Sequence, residues 1–559
     1  MLTRFSHSIP NNMLRSEGTL ELLVRDLQET GKEPLWECSE DLLSGLNGVC
    51  PDEVQTILKG VSQWGLKEVW LGQKIGDHDR WKHSQGVLAV TVTWLSSLYA
   101  SGRIKWHPWP LRDEGQAIRL AGMAALLHDF GHLPFAHLLA EVLESVNWVP
   151  RGAGQAGMEG FVLRKRLDRN DIFKETWSQL ATMLEIESAD AAKNAVQDLI
   201  IGQFGIPWIQ AILNSAVDAD KIDYLCRDSW FLRDAGWPIT SRMSTQPKMW
   251  LEEFLTDQHI THAGLLCLDG RSAVAAADLL RERIFLHDRF YLSPELRVAE
   301  RMAFEILQQF LLRVVMSDGF RSNIQELSGF GYSLRFLSDP PVDPIEAKGR
   351  LVAEMMESLA GKWASRGDRE FGMLEKMYQY LLDSGAIDNG YLDLLKECFK
   401  KLKELHPPTK KSNIHGLAKT SLVREPLVFH RKDYATARDA LRPVQHKYSR
   451  EILIDIAKLP RVLAMPGRWR GGQTRGTHED VDYGILVPDG PVSSWGPGSN
   501  ARVPLTDRAV SQLERPYGRV IVITPFGHSA RVEYLWDRVR SVLLEAGVKL
   551  QPTGTVEVV

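Results

Sequence analysis

Ala124 to His137 reads AALLHDFGHLPFAH, and the fold turns on how that stretch is read. Ile118, Leu120, Ala121, Ala124, Ala125 and Leu127 recur at helical spacing, which predicts a buried helix over 117–127. Gly131 is expected as the cap just past its end, and Pro134 prevents an immediate restart. Neighbouring residues in mid-helix point about a hundred degrees apart and seldom share an ion. At a helix terminus the last turn can open, so His128 and Asp129 can converge. Packing alone gives no reason for an apolar helix to end in His-Asp followed by His132 and His137.

A lone His-Asp pair arises by chance in most chains of this length, so its company decides. Upstream, DRWKHSQGV carries His83 and opens an apolar, helical run from Val87 to Tyr99 that stops at Gly102. Downstream, AVDADKIDYLCRDSWF (216–231) sets carboxylates among apolar residues. Three distant segments therefore offer His, His-Asp and Asp, a nitrogen and oxygen donor set suited to a divalent metal. If DADKIDYLCRD (218–228) is helical, Asp220, Tyr224 and Asp228 lie four apart on one face. Arg283, His287 and Tyr291 repeat that spacing on a helix expected from about Ser272 to Leu292, stopped by Pro294.

These segments, RWKHSQGV, HDFGHLPFAH, DADKIDYLCRDS and RERIFLHDRFY, resemble the HD-domain metal-dependent phosphohydrolases with their H…HD…D signature. The detail is similar to the deoxynucleoside triphosphate triphosphohydrolase branch, which includes bacterial dGTPases and the animal sterile-alpha-motif/HD protein. The resemblance covers roughly residues 60 to 310. It implies metal ligands His83, His128, Asp129 and Asp220, with Mn, Mg, Fe or Zn as the ion. It gives His132 the hydrolytic water and assigns His137, Arg80, Lys221 and Arg283 to the phosphates. Gln63, in QWG, and Asp228 would hold the sugar 3′-hydroxyl, Tyr224 would pack on the sugar, and His287 and Tyr291 would meet sugar and base. The chain departs from the pattern at Ala140, with Glu141 next, where relatives carry an acidic residue. It departs again at Met158-Glu159, where they carry a His before the Glu, and at Ser293, where they carry a His. No His lies between His137 and His259. Proton transfer is therefore expected to be slow, or to need an activator nucleotide that reorganises the segment near Glu159.

The rest of the chain bounds the setting. At 559 residues it exceeds one ordinary core, and its 44% apolar and 25% charged content is that of a soluble protein. A net charge of −4 leaves no global nucleic-acid footprint. Five scattered cysteines without CxxC pairs, no long apolar run and a polar start predict a cytoplasmic protein with no membrane partner. The expected fold is mainly α: a helical segment (1–60), an HD core (61–315), a helical extension (316–430) and a smaller α+β C-terminal domain (431–559). The Gly- and Arg-rich stretch 148–169 reads as a surface loop. Strands are expected in RVLAMPG, DYGILVPDGP and GRVIVITPFG, then a helix over 531–546. The last unit holds nineteen Lys plus Arg against fourteen Asp plus Glu, about +5, which fits regulation, a homo-oligomer interface or a nucleic-acid site. The reaction implied is dNTP hydrolysis to deoxynucleoside and triphosphate. The alternatives are an HD phosphodiesterase on cyclic or short oligonucleotides and a nucleotide-sensing protein with a degenerate site.

Overall fold

A helix that is apolar on every side has one stable place, the middle of a core. Two such helices organise this protein. The computed structural model describes residues 49–67, 79–102, 104, 111–145, 154–234, 237–261, 264–316, 369–383, 387–405, 414–458, 485–488, 502–504 and 517–551. Helix α1 (Asp52–Lys59) leads to α2 (Arg80–Ala100), whose start is fixed by Asp79 accepting from the Lys82 N–H at 2.9 Å. Helix α3 (Glu114–Leu127) is capped the same way by Asp113, which accepts from the Gln116 N–H at 2.8 Å. From Gln116 to Leu127 α3 is buried except at Arg119, and most of α2 is buried with it. The alanines and glycine of α3 let the two backbones approach closely.

At Leu127 the helix tightens into a 3₁₀ turn, His128–Gly131. Gly131, expected as the cap, lies inside that turn. The left-handed residue is instead Phe135 (φ 66°), an unusual conformation for a side-chain-bearing residue. Burial of the ring and a hydrogen bond from its N–H to Glu370 at 3.0 Å hold it there. Helix α4 (Ala136–Ser145) follows, then α5 (Gly154–Leu167). This second helix corrects the loop expected over 148–169. Its glycines disfavour a helix locally, but Val162, Leu163 and Leu167 are buried, and Arg166 donates to the backbone carbonyls of Phe130 and His132. Met158 and Glu159 lie on this helix, and their side chains fall outside the described residues.

Helices α6 (Asn170–Leu184), α7 (Ala189–Ile200) and α8 (Pro207–Leu213) lead to α9 (Ala219–Asp234), which packs on α2. Short α10 (Arg242–Thr245) and α11 (Pro247–Thr256) precede a hairpin of β1 (Gln258–Ile260) and β2 (Leu266–Leu268). Helix α12 (Gly270–Leu286) does not run on to Leu292 as expected. It passes into a π-turn, His287–Tyr291, closed by the Leu292 N–H donating to the His287 carbonyl at 3.0 Å. Such turns re-aim side chains and are frequent at functional sites. Helices α13 (Pro294–Met316), α14 (Arg369–Asp383), α15 (Asn389–Glu404) and α16 (Ile414–Ser421) complete the helical body.

The chain's end adds β3 (Leu427–His430), α17 (Tyr434–Lys447), β4 (Leu453–Lys458), β5 (Ile485–Pro488), β6 (Arg502–Pro504), β7 (Tyr517–Ile523), α18 (Ala530–Glu545) and β8 (Leu550–Gln551). One sheet has the order β4-β7-β3-β8; the other, β1-β2-β5-β6, joins this region to the core hairpin through the parallel pair β2–β5. Alternation on the first sheet is strict. Leu453, Ile521 and Ile523 enter the helical core, whereas Ile454, Val520 and Val522 pack in a second core that includes Leu441, Leu535 and Val539 of α17 and α18. The fold is mainly α with a small α+β part. Most of the helical segment expected over 1–60 and the strand expected at RVLAMPG lie outside the described residues. Among the described residues no helix is long and apolar enough to cross a membrane.

Candidate metal centre

Where α2, α3 and α9 meet, His83, His128 and Asp220 turn their donor atoms toward one point, all within 4.8 Å of one another. His83 Nε2 lies 3.1 Å from His128 Nε2 and 3.1 Å from Asp220 Oδ1, and His128 Nε2 is 3.7 Å from the same oxygen. Ligands about 2.1 Å from one ion stand roughly 3.0–3.4 Å apart, so the triangle has the right size for a first-row divalent metal. Asp129 flanks it, with Oδ1 3.4 Å from His128 Nε2 and Oδ2 3.7 Å from His83 Nε2. Its oxygens are shared with His132 Nε2 at 2.9 Å and Arg80 at 2.6 Å. The 3₁₀ turn is what brings His128 and Asp129 round to the same side.

Both imidazoles are oriented by their other nitrogen. His83 Nδ1 is 2.7 Å from Asp223, and His128 Nδ1 donates to the Ala125 carbonyl at 2.7 Å. Each Nε2 is left facing the cluster, as ligating histidines require. The charge balance also fits a cation. Burial alone would lower the His83 pKa, but hydrogen bonds to Asp220 and Asp223 and the charge of Asp129 outweigh it and push it up to about 10. Burial likewise would raise Asp129 and Asp220; Arg80, His128 and His132 hold the first, and His128 and His83 the second, well below the usual carboxylate range.

Asp223 was not among the site residues expected from sequence, nor were Arg227 and Gly86. Arg227 donates to both Asp223 oxygens, at 3.1 and 2.9 Å, and the whole pair is buried. The signal was present: Asp223 stands three residues after Asp220, and Gly86 three after His83. A Cβ on Gly86 would come within 1.9 Å of Asp223 Oδ1 and 2.5 Å of the Arg227 guanidinium. Gly86→Ala is therefore expected to displace Asp223 from His83. Calorimetric metal titration should show affinity down about 10- to 100-fold, with stability down about 1–3 kcal/mol from overpacking. Unchanged affinity would remove Asp223 from the metal-supporting role.

The remaining expected residues fall as follows. Lys221 is buried in an ion pair with Asp218, 2.7 Å away. Tyr224 is half-buried on α9, and Tyr291 donates to the Asp228 carboxylate. The His287 and Tyr291 rings lie 4.9 Å apart. Burial, with the charges of Arg283, His137 and Lys67, holds His287 well below the ordinary imidazole value. His137 is exposed and its ring lies 6.4 Å from that of His132. Trp64 packs on Phe290 of the π-turn; beside it, Gln63 Oε1 is buried with no hydrogen bond among the described residues. Glu141, on α4, meets Arg297 at 3.3 Å.

No family model matches the chain. Over 257 residues, 44% of its length, the chain is 24% identical to a protein of Acanthamoeba polyphaga mimivirus named for an HD domain, of which it covers 51%. Over 155 residues, 28% of its length, it is 27% identical to the uncharacterized protein YwfO of Bacillus subtilis strain 168, of which it covers 29%. The chain thus spans about half or less of the curated relatives it matches. Among solved structures it is similar to a phosphohydrolase from Bacteroides thetaiotaomicron, at 12% identity and a TM-score of 0.45, over 86% of this chain and 95% of that one.

Proposed function

We propose that the chain hydrolyses deoxynucleoside triphosphates to deoxynucleoside and triphosphate, using a divalent ion held by His83, His128, Asp129 and Asp220. One arrangement supports this reading: cationic side chains lie near the metal-ligand cluster. Arg283 acts on Tyr224, one turn from Asp220, against the charges of Asp220, Asp218 and Asp228, and with Lys67, itself paired with Glu300, it acts on His287. A metal end beside a cationic end suits a polyphosphate.

The ion supplies Lewis acidity toward water and phosphate oxygens. His132, oriented by Asp129, takes a proton from the attacking water, whose oxygen joins the α-phosphorus. The bond from that phosphorus to the sugar 5′-oxygen breaks, and the 5′-oxygen leaves as a hydroxyl with a proton from solvent water, to which His132 in turn releases the proton it took. Arg283, His137, Lys221 and Arg80 offset charge on the phosphates; Arg80 also holds Asp129 in place. Asp228 accepts from the 3′-hydroxyl, the Gln63 amide donates to that hydroxyl's oxygen through its nitrogen, and Tyr291 keeps Asp228 oriented.

The test is turnover of a panel of dNTPs and NTPs with Mn²⁺, Mg²⁺ or Fe²⁺, with products resolved by phosphorus NMR. Intact triphosphate from dNTPs supports the reading. Release of orthophosphate or pyrophosphate alone, or cleavage of cyclic or oligonucleotide diesters in place of dNTPs, overturns it. The sugar gate has its own prediction. Tyr224 stands where a 2′-hydroxyl would lose water without gaining a partner, at about 1–3 kcal/mol, or roughly 5- to 150-fold in selectivity. Tyr224→Ala should narrow the dNTP-over-NTP ratio in kcat/KM by that factor, and an unchanged ratio would show that the ring does not select the sugar.

A further inference from the structure

The geometry points to a second metal site, a zinc site, on the β1–β2 hairpin, formed by His259, Cys267 and Asp269. His259 and Cys267 are directly opposed in the antiparallel register, so both side chains leave the same face of the hairpin. Asp269 follows Cys267 by two residues in extended backbone and projects to that face as well. Donor atoms from all three lie within 4.8 Å of one another. His259 Nδ1 is 3.5 Å from Asp269 Oδ2, and Cys267 Sγ is 3.8 Å from the same oxygen. In a tetrahedral zinc site, with sulfur at about 2.3 Å and nitrogen or oxygen at about 2.0–2.2 Å, donors stand roughly 3.3–3.6 Å apart. Small movements of these side chains reach that geometry.

The position of Asp269 gives a second, independent reason. It is the N-cap residue of α12, where an aspartate ordinarily bonds the first-turn N–H groups, yet its side chain makes no capping hydrogen bond. Asp257 accepts from the Arg271 N–H at 2.9 Å instead, and its carbonyl accepts from the Asp269 N–H at 2.8 Å. The Asp269 carboxylate is thereby turned toward the thiol and imidazole. Cys267 is buried and His259 about half exposed, so the ion would sit at the hairpin surface with one position open to water. A thiolate, an imidazole and one carboxylate select zinc over magnesium or calcium. The site is separate from the His83 cluster. Gln258, next to His259, accepts from the Trp94 indole on α2, which is eleven residues or about 16 Å along the helix from His83. Zinc there would clip the hairpin that pairs with β5 to the start of α12, the helix bearing Arg283.

Cobalt(II) provides the test, because the His83 cluster offers no sulfur. Metal-free full-length protein titrated with cobalt(II) should develop a near-ultraviolet sulfur-to-cobalt charge-transfer band, and Cys267→Ser should abolish it. His259→Ala, a half-exposed position with little effect on packing, should weaken zinc(II) binding at this site at least about tenfold. The rise in thermal midpoint produced by zinc(II) should be smaller in His259→Ala than in the wild type, the remainder coming from the His83 cluster. Absence of the band at saturating cobalt(II), its persistence in Cys267→Ser, or unchanged zinc(II) affinity in His259→Ala overturns the assignment. None of these outcomes bears on dNTP hydrolysis, which rests on the other cluster.

Discussion

Asp220→Ala is expected to cost the chain one equivalent of divalent metal and to lower turnover on the order of 10³-fold or more, since Lewis-acid stabilisation of a phosphoryl transition state is worth several kcal/mol. Asp220 contributes an oxygen 3.1 Å from His83 Nε2 and 3.7 Å from His128 Nε2, facing both ligating nitrogens. Without it, His83 and His128 face each other at 3.1 Å with less charge to hold a cation between them. Asp223→Asn provides the graded comparison. It leaves every donor atom in place but weakens the orientation of His83 Nδ1, so affinity should fall about 10- to 100-fold while saturating metal restores most of the rate. Elemental analysis and metal-dependence of the rate read the two effects. If Asp220→Ala keeps its metal content and its rate, the cluster is not the catalytic centre.

Arg297→Met is expected to be among the most destabilising single substitutions, at about 3–5 kcal/mol, because it strands buried carboxylates. The Arg297 guanidinium grips Asp455 with two nitrogens, at 2.9 and 2.6 Å, and reaches Glu300 at 3.1 Å and Glu141 at 3.3 Å. Asp455 stands on the same face of β4 as Leu453, the face turned to the helical core. Arg519 likewise shares a face of β7 with Ile521 and donates to Asp288 within the π-turn. The C-terminal sheet therefore braces both flanks of the site. Through Glu141 it reaches the helix that carries His137, and through Asp288 the turn that carries His287 and Tyr291. Thermal unfolding should show Arg297→Met several degrees below wild type. Arg297→Met combined with Asp455→Leu should recover part of the loss, since removing both partners of a buried pair costs less than removing one. A midpoint equal to wild type would mean that the network carries no net stability.

Local sequence determined a good deal. The apolar periodicity of 117–127 fixed a buried helix, and the His-Asp at its end could only be a terminus, because helical geometry keeps mid-helix neighbours apart. The four-residue spacing of Asp220, Tyr224 and Asp228 likewise predicted one face of α9. The run RVIVI in β7 read as a strand, as observed. The mainly α class with a small α+β part followed from these periods.

What sequence could not decide depends on contacts between distant segments. The 148–169 stretch reads as a loop by propensity, yet the demand of the Phe130 and His132 carbonyls for a donor recruits Arg166 and stabilises α5. Phe135 takes a left-handed conformation because Glu370, 235 residues away, receives its N–H. Asp223 looked like one more carboxylate on an amphipathic helix until α9 came to rest against Gly86 and His83. The shift from α- to π-turn at His287 follows no periodicity, since one residue is absorbed where the turn meets Trp64 and Arg519. Local periodicity records which side of an element is buried. The partner on that side, and therefore a ligand's tautomer, a carboxylate's charge and the aim of a catalytic side chain, is set only when segments hundreds of residues apart are packed together.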